Sequence, residues 1–194
     1  MTRPDNSQLI LNAFKRHLET VSRSEATVLN EVSKAFAILE EIVKNRRVLF
    51  ICGNGGSAAQ SQHFAAEWVC RYKKERPALK AIALTTDTSA LTAIGNDYGF
   101  ENIFARQVEA LASKDDCLVV ISTSGRSPNI LKAIDKAKTI GLKTIALSGQ
   151  KGAALKNLVD VAILVPSDET ARIQEVHDLI LHAWCEAIDE NFTS

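Results

Sequence analysis

A glycine-rich turn between an apolar run and a helical segment is the feature that most constrains how this chain folds. The apolar residues 48–52 (VLFIC) lead into the turn GNGGS at 53–57, and a segment with a helical pattern follows. A turn from a buried strand into a helix can hold an anion. Glycine lets backbone N–H groups approach the ligand, and the helix N-terminus carries partial positive charge. Ser57 adds a hydroxyl group to the same turn.

A second turn, rich in hydroxyl groups, follows another apolar run. Residues 117–121 (CLVVI) lead into STSGRS at 122–127, and then comes Pro128, a residue favoured at the first position of a helix. In open parallel sheets, ligands bind at the carboxyl ends of the strands, where both turns would lie. Together the two turns predict a single phosphate pocket.

Other interpretations of the glycine turn are possible. The pattern Gly53-x-Gly55-x-x-Ala58 formally matches a dinucleotide-binding fingerprint. The first carboxylate after the second apolar run, Asp87, lies well beyond the usual spacing of roughly 20 residues. A Walker A sequence, GxxxxGK[ST], does not occur in the chain. The remaining alternative is a plain tight turn that uses glycine for its backbone freedom.

Apolar runs alternate with helical segments through most of the chain, which predicts a parallel sheet covered by helices on both faces. The predicted strands are 48–52, 81–84, 117–122, 144–147 and 161–165. The predicted helices are 57–70, 88–95, 102–112, 128–140, 151–157 and 168–191. Before this core, residues 8–44 show helical spacing only, and we expect two antiparallel helices with a break near 22–24. One domain over 1–194 is the economical interpretation.

The composition of the chain argues against several classes of function, among them nucleic-acid binding and membrane insertion. Lys and Arg total 23, as do Asp and Glu, so the chain has no bulk attraction for nucleic acid or an acidic membrane surface. The four cysteines are far apart, and two lie in apolar runs, which is typical of reduced thiols in the cytoplasm. The N-terminus lacks a signal-peptide pattern, and no stretch approaches the roughly 18 apolar residues of a membrane span.

Polar side chains on two predicted helices form a candidate reactive cluster. His63 and Glu67 are four residues apart and share a helix face, while Gln174, Asp178 and His182 form an i, i+4, i+8 stripe. Such a set could bind a divalent ion such as zinc, or could act as acid and base without metal. The alternatives are a surface ion pair and hydrogen-bonded core histidines.

Five motifs, in order, resemble the sugar isomerase (SIS) domain of bacterial phosphoheptose isomerases over residues 8–190. They are GNGGSA at 53–58, HFAAE at 63–67, LTTDTSALTAIGNDYG at 84–99, STSGRS at 122–127, and RIQE at 172–175 with His182. The resemblance implies a flavodoxin-like three-layer α/β/α sandwich with a five-stranded parallel sheet. It also implies conversion of sedoheptulose 7-phosphate to D-glycero-D-manno-heptose 7-phosphate through an enediol, as the first step toward nucleotide-activated heptose. A homotetramer with active sites at subunit interfaces is implied as well.

The resemblance also assigns roles to individual residues. The implied substrate-binding residues are Asn54, Gly55, Gly56, Ser57, Glu67, Asn96, Asp97, Ser122, Thr123, Ser124, Ser127 and Gln174. The implied ligands of one zinc ion per subunit are His63, Glu67, Gln174 and His182. Glu67 is the expected base and His182 the expected acid that handles the substrate oxygens. The chain departs from the family pattern at Gln60, where many members have an aspartate.

Two other classes of function share this domain. One is a non-catalytic SIS-domain regulator, such as the initiator-associating protein that binds the replication initiator DnaA. The other is a sugar-phosphate-binding module without turnover. A regulator would be marked by loss of the acid/base pair, whereas Glu67 and His182 are both present here and favour an enzyme.

Overall fold

The computed structural model describes residues 5–193 and begins with one long helix, α1 (Asn6–Lys44). The prediction of two antiparallel helices with a break near 22–24 is therefore wrong. Ser24 and Thr20 stay within the helix, because each hydroxyl donates to the carbonyl four residues earlier, at 2.7 and 2.8 Å. Asp5 caps the start of the helix by accepting a hydrogen bond from the Ser7 backbone N–H at 2.9 Å.

A five-stranded parallel sheet follows, in the order β2-β1-β3-β4-β5. Its strands are β1 (Leu49–Gly53), β2 (Ala81–Ala83), β3 (Cys117–Ile121), β4 (Lys143–Gly149) and β5 (Val161–Val165). The other helices are α2 (Gly56–Val69), α3 (Thr88–Tyr98), α4 (Ala105–Leu111), α5 (Pro128–Ile140) and α6 (Thr170–Phe192), with 3-10 turns at Phe100–Asn102 and Gln150–Asn157. All five predicted strands are confirmed, with ends shifted by a few residues, and so are the predicted α-helices except two. Residues 150–157 form a 3-10 helix interrupted at Gly152, and the helix predicted over 102–112 is shortened to α4.

The two faces of the sheet bury separate apolar cores. Ile51 and Val119 face a core built with α1, α2 and α6, whereas Phe50 and Leu118 face a core built with α4 and α5. Neighbouring strand residues point to opposite faces, so nearly every strand position is apolar and buried. The fold is a three-layer α/β/α sandwich, as expected.

The strand order places the two predicted anion turns side by side. Gly53, the last residue of β1, pairs with Ile121, the last residue of β3. The chain leaves these two strands toward opposite sides of the sheet order, which makes the β1–β3 junction the position where such folds bind ligands. Over residues 5–193, no helix is long and apolar enough to cross a membrane.

The cysteines behave as small apolar groups, as expected. Cys52, Cys117 and Cys185 are buried and Cys70 is exposed, and all four are free thiols. Burial raises the pKa of the Cys185 thiol to about 12 and raises the pKa of Cys52 and Cys117 as well. These three thiols are therefore protonated packing residues rather than nucleophiles.

Candidate active site

The glycine turn is shaped by close contacts that exclude larger residues. Gly55 has a φ of 56°, a backbone conformation that favours glycine. A Cβ atom on Gly53 would lie 2.5 Å from the Ser57 carbonyl oxygen, and one on Gly56 would lie 2.5 Å from Nε2 of Gln174. Gly56 thus lets the side chain of Gln174, on α6, rest directly on the start of α2.

The hydroxyl-rich turn is held from within and from β4. The Ser122 hydroxyl accepts a hydrogen bond from the Gly125 N–H at 3.2 Å, and the Ser148 hydroxyl donates to the Ser122 carbonyl at 2.6 Å. Thr123 accepts from the Gly149 N–H through its carbonyl at 3.1 Å, which ties the turn to the end of β4. Gly125 has a φ of 64°, which explains the glycine in this turn.

The remaining two serines of this turn lie at its outer side. Ser124 accepts a hydrogen bond from the Arg126 N–H at 3.3 Å. Ser127 immediately precedes α5, and its side chain makes no capping hydrogen bond to the helix. Its hydroxyl and the N–H of Asn129 are therefore donors for an anion, whereas Pro128 has no N–H and the N–H groups of Ile130 and Leu131 donate to the Ser127 carbonyl.

The two turns are joined by a contact that the sequence did not predict. Asn54 in the glycine turn and Asn129 in the first turn of α5 exchange two hydrogen bonds, at 3.0 and 2.8 Å. Asn129 is buried, with 1% of its surface exposed. No spacing rule marks this residue, because the pair forms only when β1 and β3 are neighbours in the sheet.

The predicted reactive cluster forms where α2 meets α6. Nε2 of His63 lies 2.8 Å from Nε2 of His182, and the two rings meet edge to face. The ring of Tyr72 stacks on His182, with centroids 5.3 Å apart and planes 20° apart. Sequence reasoning missed Tyr72, which lies in the loop after α2 and carries no motif of its own.

Glu67 lies one helical turn after His63 on α2. Its carboxylate oxygen is 3.7 Å from Nδ1 of His63, on the opposite side of the ring from His182. The Glu67 side chain is largely buried, with 22% of its surface exposed. Its backbone carbonyl accepts a hydrogen bond from Arg76 at 2.7 Å, so the end of α2 is fixed by a buried cation.

Gln60, the departure from the family pattern, has a structural role here. Its amide group donates to the Gln174 carbonyl at 2.8 Å and to the Asp178 carboxylate at 2.9 Å. One carboxylate oxygen of Asp178 is therefore occupied by the hydrogen bond from Gln60 on α2, and this oxygen does not face the two histidines. The amide replaces a carboxylate that would repel Asp178, and it joins α2 to α6 beside the cluster.

The donor chemistry of this cluster suits zinc in part. Imidazole nitrogen is a preferred zinc ligand, and His63 and His182 bring two such atoms from different helices to one point. Over residues 5–193, however, no group of three His, Cys, Asp or Glu side chains is arranged to hold a metal ion. The two histidines could supply two of the four ligands of a tetrahedral zinc site. Glu67 and Gln174, which lie beside them, are the residues that could complete it.

Two clefts lie near the predicted site residues. One, of about 370 Å³, is lined by Gly56, Ala59, Gln60, His63, Gln174, Asp178 and His182. The other, of about 570 Å³, is lined by Asn54, Phe100, Glu101, Ser127, Pro128, Asn129 and Lys132. The first contains the histidine cluster, and the second contains Ser127 from the hydroxyl-rich turn together with the Asn54–Asn129 pair.

Asn96 and Asp97 are the predicted residues that the structure leaves apart. Both are exposed near the end of α3, where the Asn96 amide donates to Asp97 at 2.7 Å. Neither residue lines the two clefts described above. A single chain therefore does not bring them to the site.

The fold and the paired anion turns define a sugar-phosphate domain of the SIS class, and the SIS domain model matches residues 11–149. A phosphoheptose isomerase of Helicobacter pylori is 52% identical over 184 residues, which cover 95% of this chain and 96% of that protein. The structures of phosphoheptose isomerases from Neisseria gonorrhoeae and Francisella tularensis are 41% and 40% identical, with TM-scores of 0.90 and 0.92. Each match covers 96% of this chain, and it covers 100% of the Neisseria gonorrhoeae chain and 99% of the Francisella tularensis chain. The chain belongs to the phosphoheptose isomerase family.

Proposed function

We infer that this protein isomerises sedoheptulose 7-phosphate to D-glycero-D-manno-heptose 7-phosphate. The observation that carries the inference is the convergence of His63, Glu67 and His182 beside the glycine turn that opens the same helix. His63 and Glu67 lie on the helix that this turn opens, and His182 reaches them from α6, an arrangement that suits a sugar phosphate whose reacting end lies near the histidines. The high identity to phosphoheptose isomerases supports the substrate class.

The chemistry needs one base and one group that handles oxygens. The Glu67 carboxylate takes the proton from C1 of the open-chain ketose, the C1–C2 enediol forms, and the same carboxylic acid returns the proton to C2. His182 transfers the hydroxyl proton from O1 to O2, so that the carbonyl moves from C2 to C1. Atoms and charge balance without an external oxidant or reductant.

The phosphate is assigned to the two turns. Ser57, Ser122, Ser124 and Ser127 supply hydroxyl or backbone N–H donors, and the helix N-termini of α2 and α5 add partial positive charge. Asn54 would bind a sugar hydroxyl with the part of its amide that Asn129 leaves free. Binding energy from this end of the substrate holds the reacting carbons beside Glu67.

Zinc is part of the proposal. His63, Glu67, Gln174 and His182 would hold the ion, and bound zinc would mainly organise the site, because ligation and proton transfer compete for the Glu67 carboxylate and the His182 imidazole. The binding test uses zinc alone. Chelator-treated protein should bind zinc and melt at a higher temperature with it, whereas a His63→Ala variant should do neither. Equal zinc binding by the variant would place the metal elsewhere.

We also propose a homotetramer whose active sites lie between subunits. The first four turns of α1 expose Leu9, Ile10, Phe14 and Leu18, and an apolar groove of about 260 Å³ runs between α1 and α6. Such a face favours burial against other copies. Asn96 and Asp97 would then bind substrate in a neighbouring subunit's site. Sedimentation equilibrium measures the mass, and a monomer with full activity would contradict this assembly.

The decisive experiment incubates purified protein with sedoheptulose 7-phosphate and follows the aldose phosphate, with and without zinc. Turnover supports an isomerase, while binding without turnover supports a binding module or regulator. The Glu67→Gln variant keeps the side-chain shape but cannot accept the carbon-bound proton, so it should lose about 100- to 10,000-fold in kcat, the range expected when a positioned base is removed. Glu109→Gln, an exposed change on α4, is the matched control. Near-parental activity of Glu67→Gln would remove Glu67 from the role of base.

A further inference from the structure

The two phosphate turns are connected by one buried side-chain pair. Asn54 Nδ2 donates to Asn129 Oδ1 at 3.0 Å, and Asn129 Nδ2 donates to Asn54 Oδ1 at 2.8 Å. Asn54 lies in the turn after β1, and Asn129 lies at the start of α5, after the turn that follows β3. The pair is therefore the direct side-chain link between the two candidate anion sites.

A third hydrogen bond favours one orientation of the pair. The backbone N–H of Ile130 is shared between the Ser127 carbonyl and Asn129 Oδ1, each at 3.0 Å, which favours the oxygen rather than the nitrogen of the amide at this position. The nitrogen of Asn129 then faces Asn54, which fixes the Asn54 oxygen toward it. A flipped Asn54 amide would set two N–H groups and two oxygens against each other.

One donor and one acceptor position of Asn54 remain after this pairing. A primary amide has two N–H groups and an oxygen with two lone pairs, and Asn129 uses one of each. Asn54 is partly exposed and lines the same cleft as Ser127. Its free N–H and lone pair are thus presented to that cleft in a fixed order.

We propose that Asn129 is a positioning residue that fixes how the Asn54 amide meets the substrate hydroxyls and holds the two phosphate turns at a constant spacing. This proposal rests on the proposed function, because it assigns Asn54 to the sugar and the turns to its phosphate. Asn129 acts through Asn54 and through the start of α5 and does not touch the reacting carbons.

Removing Asn129 should weaken substrate binding more than it slows chemistry. Asn129→Ala frees the Asn54 amide to rotate, and the substrate must then order it. We expect KM to rise about 10-fold while kcat changes less than threefold, in keeping with the worth of one or two hydrogen bonds. A purely structural loss would lower the melting temperature without this split.

A double-mutant cycle tests whether Asn129 acts through Asn54. KM for sedoheptulose 7-phosphate, and its Kd by calorimetry, are measured for the parent, Asn129→Ala, Asn54→Ala and the double variant. In the Asn54→Ala background, we expect Asn129→Ala to change KM and Kd less than twofold. An equal factor in both backgrounds, or no effect in either, overturns the proposal.

One control variant and one substitute variant complete the experiment. Gln107 is also a buried amide, donating to the carbonyls of Leu84 and Ile103, and Gln107→Ala should lower stability while KM stays at the parental value. If Asn129→Ala does not fold, Asn129→Ser keeps a polar group at the start of α5 and cannot form the two-bond pair, so it enters the same cycle. A parent that binds without turnover contradicts the isomerase, while the cycle on Kd still decides the role of Asn129.

Discussion

Replacing Gly56 with alanine tests whether the position of the Gln174 amide matters for activity. The new Cβ would lie 2.5, 3.0 and 3.1 Å from Nε2, Oε1 and Cδ of Gln174, where ordinary contacts are 3.4–4 Å, so the amide must move by about 0.9 Å. These atoms end a flexible side chain, so we expect Gln174 to yield rather than α2. The substitution therefore displaces one candidate ligand and leaves the backbone in place.

The expected effects on stability and on activity differ in size. Alanine in place of glycine favours a helix by up to about 1 kcal/mol, and an off-rotamer Gln174 costs about 0.5–1.5 kcal/mol. These contributions nearly cancel, and the melting temperature should stay within about 3 °C of the parent. A misplacement of about 1 Å in an active site can cost about 100-fold in rate. We expect kcat/KM to fall by about 30- to 100-fold.

Gly53→Ala is the matched contrast, because its Cβ would lie 2.5 Å from the backbone carbonyl oxygen of Ser57. A backbone atom cannot rotate away, so this variant should lose about 1–3 kcal/mol of stability or more. The assay combines thermal melting with turnover of sedoheptulose 7-phosphate. If Gly56→Ala retains parental kcat/KM, or melts as early as Gly53→Ala, the reasoning is refuted. In a Gln174→Ala background, Gly56→Ala should have no further effect on kcat/KM.

Three other predictions concern the phosphate turn and the buried polar groups. Ser124→Ala should raise KM by at least 10-fold with little change in kcat, because a hydrogen bond to a charged group is worth about 1.5–3 kcal/mol. Ser124→Asp should abolish binding. Steady-state kinetics of both variants check these expectations. Arg76→Ala leaves the Asp189 carboxylate buried without its counter-ion. The free energy of unfolding, measured with urea, should fall by about 3–5 kcal/mol, and a fall below about 1 kcal/mol would contradict this expectation. Burial lowers the pKa of His177 from 6.5 to about 4, although the Ser148 carbonyl partly opposes this. Between these pH values the unfolded chain binds a proton that the folded chain does not, so stability is complete above 6.5 and is lost as the pH falls toward 4. From pH 7 to pH 5 we expect a loss of about 2 kcal/mol in urea unfolding, which His177→Asn should reduce; an unchanged slope would count against the assignment.

The sheet and its turns could be predicted because their signals are local. Each buried strand is an apolar run, and both turns carry glycine or serine directly after such a run. The break predicted near 22–24 is wrong, because the helix continues through these residues. Residues 8–44 contain no glycine or proline, and Thr20 and Ser24 satisfy their hydroxyls within the helix.

The candidate site could be predicted only where its residues share one element. His63 and Glu67 are four apart on α2, so their proximity follows from helix geometry. The contact between His63 and His182 requires α2 and α6 to pack, and the motifs of the family supplied that link. Asn129 and Tyr72 carry no such signal, since their contacts exist only after distant segments meet.

The packing of α2 against α6 sets the distance between the proposed base and acid. Gln60 contacts Asp178, and His63, further along α2, contacts His182, further along α6, so the two helices run in the same direction. Lys73, in the loop after α2, contacts Asp189 still further along α6.

Buried polar groups hold both ends of this helix pair. Gln60 bonds α6 at one end, and at the other the Arg76–Asp189 ion pair, 2.8 Å long, also fixes the last carbonyls of α2. Hydrogen bonds from the N–H groups of Lys74 and Lys73 and from Arg76 lower the pKa of Asp189 against the opposing effect of its burial, so the pair stays charged. The spacing of Glu67 and His182 thus depends in part on Arg76 and Asp189, which line neither of the two clefts. A change at Asp189 should therefore lower kcat as well as stability.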